Sequence, residues 1–328
     1  MKRIIVSLVI GVVIFALLIQ TTNVSDLSQR ITAASPAFVL ISFVIIVCFS
    51  AIKAIRWRII VGKGRLLNFF SIVQVGSLLA NLLPAQLQEP VRAVLLKNKE
   101  NVGIGHGLSS IFLERLMDIV GLLAIGVIAS ILFPTSDNTQ LGVFHLIRYI
   151  IIFASLLTGF LILLVLKPKL FSKIFTPFKK YQRLEKLYEK LEFLILELSD
   201  GFKTMGKKPA NMAGAFMISV LMWIVCFTSV YILFLSVGFQ ITPLVVLFGF
   251  VGYALGMAIP QAPGYVGTFE AIWLGAFSTL GYTHNSEILA VGILYHVLII
   301  AYGLILGIIG MIILRLSIKD LFGYKKKI

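Results

Sequence analysis

One segment in the first third of the chain carries ionisable side chains between stretches that are apolar enough to lie in lipid. Glu89 and Arg92 are three residues apart, as are Arg115 and Asp118, whereas Glu114 and Asp118 are four apart. On a helix, side chains at these spacings lie on one face and can pair. An ionised group at membrane depth costs roughly 2.5–3.5 kcal/mol on insertion scales, so such groups usually face a protein interior or a wet cavity. We therefore expect these five residues to form a site.

Two roles are open for these charges. A guanidinium group suits paired hydrogen bonding to phosphate, so Arg92 and Arg115 favour recognition of an anionic or zwitterionic headgroup. Glu114 and Asp118 share a helix face, and Arg92 or Arg115 is the expected cation between them. The alternative role is structural, in which the pairs only fix the register of the helices.

A second candidate region breaks an apolar stretch later in the chain. The sequence PQAPGYVG at 260–267 is followed by Glu270. Gly264 and Gly267 allow positive φ or close approach of another backbone, and the exposed N–H groups of a helix start attract anions. An isolated proline–glycine cluster more often marks only a turn. Here the apolar arms on both sides predict a turn buried in the membrane.

The composition indicates an integral membrane protein. Hydrophobic residues make up 59% of the 328 positions and charged residues only 13%, whereas soluble domains carry about 25% charge. Apolar stretches long enough for a helix to cross about 30 Å of hydrocarbon recur along the chain, which favours a helical bundle over a barrel. Cys48 and Cys226 lie in such stretches and indicate packing thiols.

The net charge of +15 is explained by topology. The Lys and Arg residues cluster in a few segments, as expected for the cytoplasmic side of a membrane protein. Those segments are 2–3, 53–65, 97–99, 167–208 and 315–327. Trp57, among these charges, is expected to be an interface anchor. The basic character thus indicates attraction to anionic lipid headgroups and not a nucleic-acid partner.

The pattern predicts an all-α, polytopic transmembrane helical bundle with about six full spans and two re-entrant hairpins in an inverted repeat. Full spans are expected near 4–20, 37–55, 107–133, 144–166, 211–237 and 288–314. One hairpin, about 69–96, enters from the cytoplasm with its tip near 84–90, and the other, about 244–281, enters from outside. Broken segments in corresponding positions of two halves are typical of a transporter site, with Gln86 and Gln261 approaching one cavity. Ordinary tilted helices are the alternative.

This segmentation divides the chain into three parts. Residues 1–166 form a first membrane half and 209–328 a second. The linker 167–208 contains eleven basic and five acidic residues and has apolar residues at helical spacing. It is expected to be an amphipathic cytoplasmic helix on the membrane surface or against the bundle. The apolar start of the chain is interpreted as an uncleaved first helix and not a signal peptide.

No motif for a cofactor, a metal or a catalytic nucleophile is present in the sequence. The four histidines, at 106, 145, 284 and 296, lack ligand spacing. The glycine-rich run at 103–107 follows no strand and is expected to be a flexible entry to a helix. Nucleophile elbows and phosphate-binding loops are missing as well. The sequence therefore predicts no cofactor, no metal and no enzymatic activity.

These motifs resemble the flippase-like membrane family that includes the transmembrane region of lysylphosphatidylglycerol synthase. The family pattern reads Asn, Pro, Gly-Glu, Arg; then Glu-Arg-x-x-Asp; then Pro-x-x-Pro-Gly-x-x-Gly-x-x-Glu. Matching residues are Asn81, Pro84, Glu89, Arg92, Glu114, Arg115, Asp118, Pro260, Pro263, Gly264, Gly267 and Glu270. Gln88 stands where a glycine is usual, and Pro90 follows the glutamate. The resemblance implies that Asn81, Pro263, Gly264, Gly267, Glu270 and the charged residues bind substrate.

The resemblance also implies a lipid flippase or transporter without ATPase activity. The 328 residues contain no counterpart of the synthases' soluble aminoacyl-transfer domain, which argues against lysyl transfer. Expected substrates are phosphate-bearing: phospholipids, aminoacylated lipids or polyprenyl-linked sugars, moved across the cytoplasmic membrane. Partners are therefore lipids with anionic or zwitterionic headgroups, and homo-oligomerisation stays open. The alternatives are an ion- or proton-coupled solute transporter, using the carboxylates as a relay, and a membrane-embedded lipid-modifying enzyme.

The charge asymmetry predicts that both termini and the linker are cytoplasmic. Single cysteines at Ser136, Asn285 and Lys186, in a chain lacking Cys48 and Cys226, test this with an impermeant thiol reagent on intact cells. We expect the reagent to reach the first two positions and not Lys186→Cys. Labelling of Lys186→Cys alone would contradict the predicted topology and indicate the opposite orientation.

Overall fold

The computed structural model describes residues 2–82, 88–132, 158–160, 162–177, 209–257, 263–282 and 285–317, with further single positions and short runs between 149 and 199. The described chain is helical and has no strand, so the predicted all-helical class is confirmed. Its helices are α1 (Lys2–Gln20), α2 (Val24–Thr32), α3 (Pro36–Val61), α4 (Leu66–Leu82), α5 (Gln88–Glu100), α6 (Ile104–Leu132), α7 (Pro168–Phe175), α8 (Pro209–Ser236), α9 (Pro243–Gly256), α10 (Thr268–Ser278) and α11 (Asn285–Ile313).

Three of the described helices, α3, α8 and α11, are long and apolar enough to cross a membrane. A fourth crossing results if α1 and α2, which meet at 98°, act as one bent span. The apolar helices α4 and α9 are shorter than a span. The external loop at 134–142, the tips around Pro84 and Pro260, and most of 178–208 lie outside the described residues.

Two boundaries differ from the sequence prediction. The second helix was predicted to end near residue 55, but α3 continues to Val61 and stops at Gly62, whose φ of 81° ends the helix. The additional residues include Arg56 and Arg58, and these charges place the predicted end of the helix too early. The run at 103–107 is not a flexible entry, because α6 begins at Ile104. Gly107 lies in its first turns, where an added Cβ would be 3.3 Å from that of Ala93.

The polar stretch after α1 also contains a helix that hydropathy did not predict. Asn23 caps α2 by accepting a hydrogen bond from the Asp26 backbone N–H. Arg30 of α2 then pairs with Glu287 at the start of α11, with 3.0 Å between Nη2 and Oε1. This short helix therefore ties α1 to the last long helix.

Helices from before residue 167 pack directly against helices from after residue 208. α3 lies along α8, and α4 lies along α11, and these are the most extensive helix contacts of the described chain. The larger core is rich in aromatic side chains of the second half, including the fully buried Phe234, Trp273 and Phe277. A second core joins α3, α4 and α5 around Trp57 and Phe69. The α3–α8 and α4–α11 contacts both join the early part of the chain to the late part. A site between these helices therefore has residues of both parts in its walls.

Three glycines of α11 allow the backbone of α4 to approach closely. At Gly303, Gly307 and Gly310 an added Cβ would lie 2.4–2.7 Å from atoms of α4 or of its side chains. Within lipid, helices associate mainly through van der Waals packing, which small residues at the interface improve. This stripe is therefore the main reason that α4 and α11 pack so tightly.

The stripe predicts a stability difference between two glycine substitutions. In Gly307→Ala the new methyl group would be 2.4 Å from the Leu78 Cβ, and overpacking of this kind costs about 1–3 kcal/mol. Gly275→Ala is the matched control, since nothing lies within 4 Å of its Cβ position. Thermal unfolding in detergent should show a lower midpoint for Gly307→Ala and an unchanged or higher one for the control. Equal midpoints for the two variants would contradict the role of the stripe.

Candidate functional site

Seven charged side chains of α3, α5 and α6 form one connected group, called here the ion-pair network. Each member lies within 4 Å of at least one opposite charge in the same group. The members are Lys53, Arg56, Glu89, Arg92, Glu114, Arg115 and Asp118. The structure thus brings together all five charges predicted from the first segment and adds two from α3.

Glu114 is the centre of the network. Its side chain is fully buried, and its Oε2 accepts a hydrogen bond of 2.9 Å from Nη2 of Arg92. Its Oε1 lies 3.3 Å from Nζ of Lys53 and 3.4 Å from Nη2 of Arg56. Glu114 lies ten residues from the start of α6, about 15 Å along the helix. There three cations surround one carboxylate.

Glu89 joins the two predicted arginines. The expected pair with Arg92 is present, with Nη1 donating to Oε2 at 2.7 Å, and Arg115 donates from Nη2 to the other oxygen. Arg115 therefore points towards α5, and it does not pair with Asp118 in its own helix. The prediction that Arg92 or Arg115 separates Glu114 from Asp118 was incomplete, since Arg56 of α3 contacts both.

Arg56 is a functional candidate that sequence reasoning missed. Its side chain is fully buried and donates hydrogen bonds to Asp118 and, over 2.7 Å, to Oγ of Ser219. The basic residues that follow Arg56 in the sequence favour a position at the cytoplasmic boundary. In the structure α3 continues to Val61, which keeps Lys53 and Arg56 within the helix.

Trp57 is not an interface anchor, because it is completely buried. Its indole N–H donates to Oγ of Ser110 over 3.0 Å, and the Arg92 guanidinium carbon lies 4.3 Å from the ring centre. This cation–π contact stabilises Arg92 in addition to its two carboxylates. Gly76 makes room for the stem of Arg92, since an added Cβ would be 2.9 Å from its Cδ.

A cavity of about 720 Å³ lies between the two membrane halves beside the ion-pair network. Lys53, Arg115 and Asp118 form its charged end, and their side chains are 19%, 40% and 16% exposed. The rest of the wall is apolar and rich in aromatic rings: Phe49, Trp223, Phe250, Tyr253, Tyr295 and Tyr302. Of the predicted binding residues that the structure describes, Arg115 and Asp118 line this cavity, while Arg92 and Glu114 lie behind them.

The second break has the backbone that its glycines predicted. Gly264 and Gly267 have φ of 68° and 78°, and Tyr265 between them has φ of 54°, which is rare for a residue with a side chain. Gly267 also lies against α1, where an added Cβ would be 1.9 Å from the Gly11 carbonyl oxygen. At position 267, both the positive φ and the contact with the α1 backbone therefore require glycine.

Glu270 has both carboxylate oxygens occupied by the protein itself. Oε2 accepts from the Gly267 N–H at 2.7 Å and caps α10, while Oε1 lies 2.6 Å from Nδ1 of His296. Nε2 of His296 is 2.9 Å from the Gly264 carbonyl, and the imidazole stacks on Phe269. Glu270 is only 3% exposed and lies outside the cavity lining.

His296 was missed because we searched the histidines only for metal spacing. The available signal was an imidazole within an otherwise apolar last span. Among the described residues, no three His, Cys, Asp or Glu side chains are placed to hold a metal ion.

The two predicted breaks meet in the structure. The C-terminal end of α4 contacts the 3-10 turn Pro263–Tyr265, and the carbonyl of Asn81 is 3.6 Å from the Cβ position at Gly264. The amide Nδ2 of Asn81 is buried, without a hydrogen-bond partner within the described structure. Gln86 and Gln261, predicted to approach each other here, lie outside the described residues.

Glu114 should be required for stability, because its removal leaves three cations without their shared carboxylate. Breaking a buried ion pair by removing one partner costs about 3–5 kcal/mol. We expect Glu114→Gln to lower the thermal unfolding midpoint in detergent strongly. Glu185→Gln, at an exposed position of the linker, is the matched control and should leave it unchanged. A midpoint for Glu114→Gln like that of the control would contradict a central role of Glu114.

Comparison with known proteins agrees with these motifs. The family model described as the lysylphosphatidylglycerol synthase TM region matches residues 4–307. A UPF0104 membrane protein of Methanothermobacter thermautotrophicus is 25% identical over 301 residues, covering 84% of this chain and 85% of that protein. UPF0104 membrane proteins of Pyrococcus horikoshii and Methanocaldococcus jannaschii are each 24% identical, covering 84% and 87% of this chain and 86% and 87% of their own. No solved structure matches. The chain is therefore a membrane protein that belongs to the family of the lysylphosphatidylglycerol synthase transmembrane region.

Proposed function

We propose that this protein is a lipid flippase or transporter that moves a phosphate-bearing lipid across the cytoplasmic membrane. The observation that carries the proposal is the central cavity, with cations at one end and an apolar, aromatic wall elsewhere. A lipid has the same division, with a charged headgroup on an apolar body. Arg115 and Lys53 are the groups placed to bind the phosphate, and Asp118 lies beside them.

The position of the cavity also supports transport. It is lined by helices of both membrane halves, α3 and α6 from the first and α8, α9 and α11 from the second. In transporters built from inverted repeats, the substrate site lies at the interface of the repeats and includes broken helices. We infer six spans and two re-entrant hairpins, α4 with α5 and α9 with α10, whose breaks meet at Asn81 and Gly264.

The remaining inferences follow from this model. The cytoplasmic membrane is the proposed location, with both termini inside, and membrane lipids with anionic or zwitterionic headgroups are the proposed partners. We infer transport without a chemical reaction on the lipid, because the groups facing the cavity can bind and orient an anion by themselves. The residues Arg92, Glu89 and Glu114 then hold Arg115 and Lys53 in position.

One observation favours a second candidate, a proton-coupled transporter of a soluble solute. Glu270 and His296 form a buried pair in which both imidazole nitrogens meet acceptor atoms, the carboxylate and the Gly264 carbonyl. A neutral imidazole has one N–H donor, so which nitrogen donates depends on where the proton of the pair resides. Such a pair is suited to bind and release a proton during transport.

Reconstituted vesicles test the first proposal. Fluorescent phospholipids are placed in both leaflets, and an impermeant quencher measures their movement. We expect the wild-type protein to accelerate movement, and Arg115→Gln to reduce the rate at least about tenfold, since a hydrogen bond to a charged group contributes about 1.5–3 kcal/mol. Arg65→Gln, at an exposed position away from the cavity, is the control. All variants are first checked for normal thermal stability.

Two results would contradict the proposal. A wild-type rate of lipid movement in Arg115→Gln would contradict the role of Arg115 in binding the headgroup. Absence of lipid movement in the wild-type protein, together with uptake of soluble phosphate that acidifies the vesicle interior, would instead favour the proton-coupled solute transporter.

A further inference from the structure

The ion-pair network contains more positive than negative charge. Lys53, Arg56, Arg92 and Arg115 contribute four formal positive charges, and Glu89, Glu114 and Asp118 contribute three negative ones. The formal sum is +1. The segments 83–87 and 258–262, which follow α4 and α9 in the sequence, contain no ionisable residue.

Each of the three carboxylates already has at least one cation, and two of them are shared. Glu114 faces three cations and Glu89 two, whereas Asp118 contacts Arg56. The buried Nε atoms of Arg56, Arg92 and Arg115 have no hydrogen-bond partner within the described structure. An uncompensated charge away from water is unfavourable, because charged groups lose their hydration there. The network therefore needs one more negative charge to be neutral, and three of its N–H donors have no acceptor within the described structure.

The uncompensated charge lies on the cavity side. Arg56, Arg92 and Glu114 are at most 2% exposed and form the layer behind. Lys53 and Arg115 face the cavity, and each contacts only one carboxylate. An anion bound between Nζ of Lys53 and the Arg115 guanidinium would make the network neutral without moving any buried group.

We infer that the cavity selects lipids whose headgroup carries one net negative charge, and that Lys53 is the residue that sets this selection. A phosphodiester headgroup without an amine matches the +1 of the network, whereas a zwitterionic headgroup brings a cation that faces Lys53 and Arg115. Lys53 can set the selection without being needed for the stability of the network. If Lys53 is removed, Glu114 is still paired with Arg56 and Arg92. The inference rests on the proposed function and names its substrate class.

The test compares two lipids with the same acyl chains in the same reconstituted vesicles. Fluorescent phosphatidylglycerol carries one net negative charge and fluorescent phosphatidylcholine carries none. Each is measured with the wild-type protein, with Lys53→Met, with Lys53→Arg and with Lys169→Met. The last variant removes the same charge from an exposed position of α7 and controls for lipid attraction to the protein surface.

We expect the wild-type protein to move phosphatidylglycerol at least about tenfold faster than phosphatidylcholine. The ratio should fall to about one to three in Lys53→Met and should be retained in Lys53→Arg and Lys169→Met. Purified protein should also be stabilised against heat by short-chain phosphatidylglycerol, and not by glycerophosphoglycerol, which has the same phosphodiester and the same single negative charge without acyl chains.

Each other outcome overturns a defined part of the argument. Equal movement of both lipids by the wild-type protein would contradict the charge selection and leave the flippase function intact. A ratio that falls equally in Lys53→Met and Lys169→Met would assign the selection to the surface and not to the cavity. Movement of neither lipid would contradict the proposed function itself, and stabilisation by glycerophosphoglycerol alone would identify a site for soluble phosphodiesters.

Discussion

The arrangement of this protein depends on the requirement that an ionised group at membrane depth be paired. Glu114 lies about a third of the way along α6, where it is fully buried, and it is stabilised by Lys53, Arg56 and Arg92. These cations come from α3 and α5, so pairing fixes the distance and rotation of three helices. The same pairs then leave Arg115 and Lys53 at the wall of the central cavity.

Close backbone contacts provide the second constraint. Association of helices in lipid gains little from the hydrophobic effect, so packing must come from complementary surfaces. The glycine stripe of α11 lets α4 approach closely, and Gly76 leaves room for the aliphatic part of Arg92. Gly267 lets the backbone of α1 approach in the same way. Each of these glycines lies beside an element of the site. Packing and charge pairing thus act on the same helices and hold the cavity between the two halves.

The two breaks differ in what holds them. Glu89, at the start of α5, is held by arginines of the ion-pair network. The break before α10 is held by hydrogen bonds, because Glu270 caps the helix and His296 binds both Glu270 and the Gly264 carbonyl. Arg115, which pairs with Glu89, lines the cavity, whereas Glu270 and His296 lie outside its lining. The proposed lipid contacts are therefore separate from this buried pair.

Local patterns in the sequence were sufficient to predict the membrane class, the helical fold and five of the seven charges of the network, because hydropathy and charges in apolar stretches are local properties. The glycines at 264 and 267 permit the positive φ that both adopt. Which charges meet depends on the tertiary structure. Arg56 and Trp57 looked like boundary residues until α3 proved to extend to Gly62, and His296 lies 26 residues from Glu270. Partners of this kind depend on helix rotation and packing, which no local pattern records.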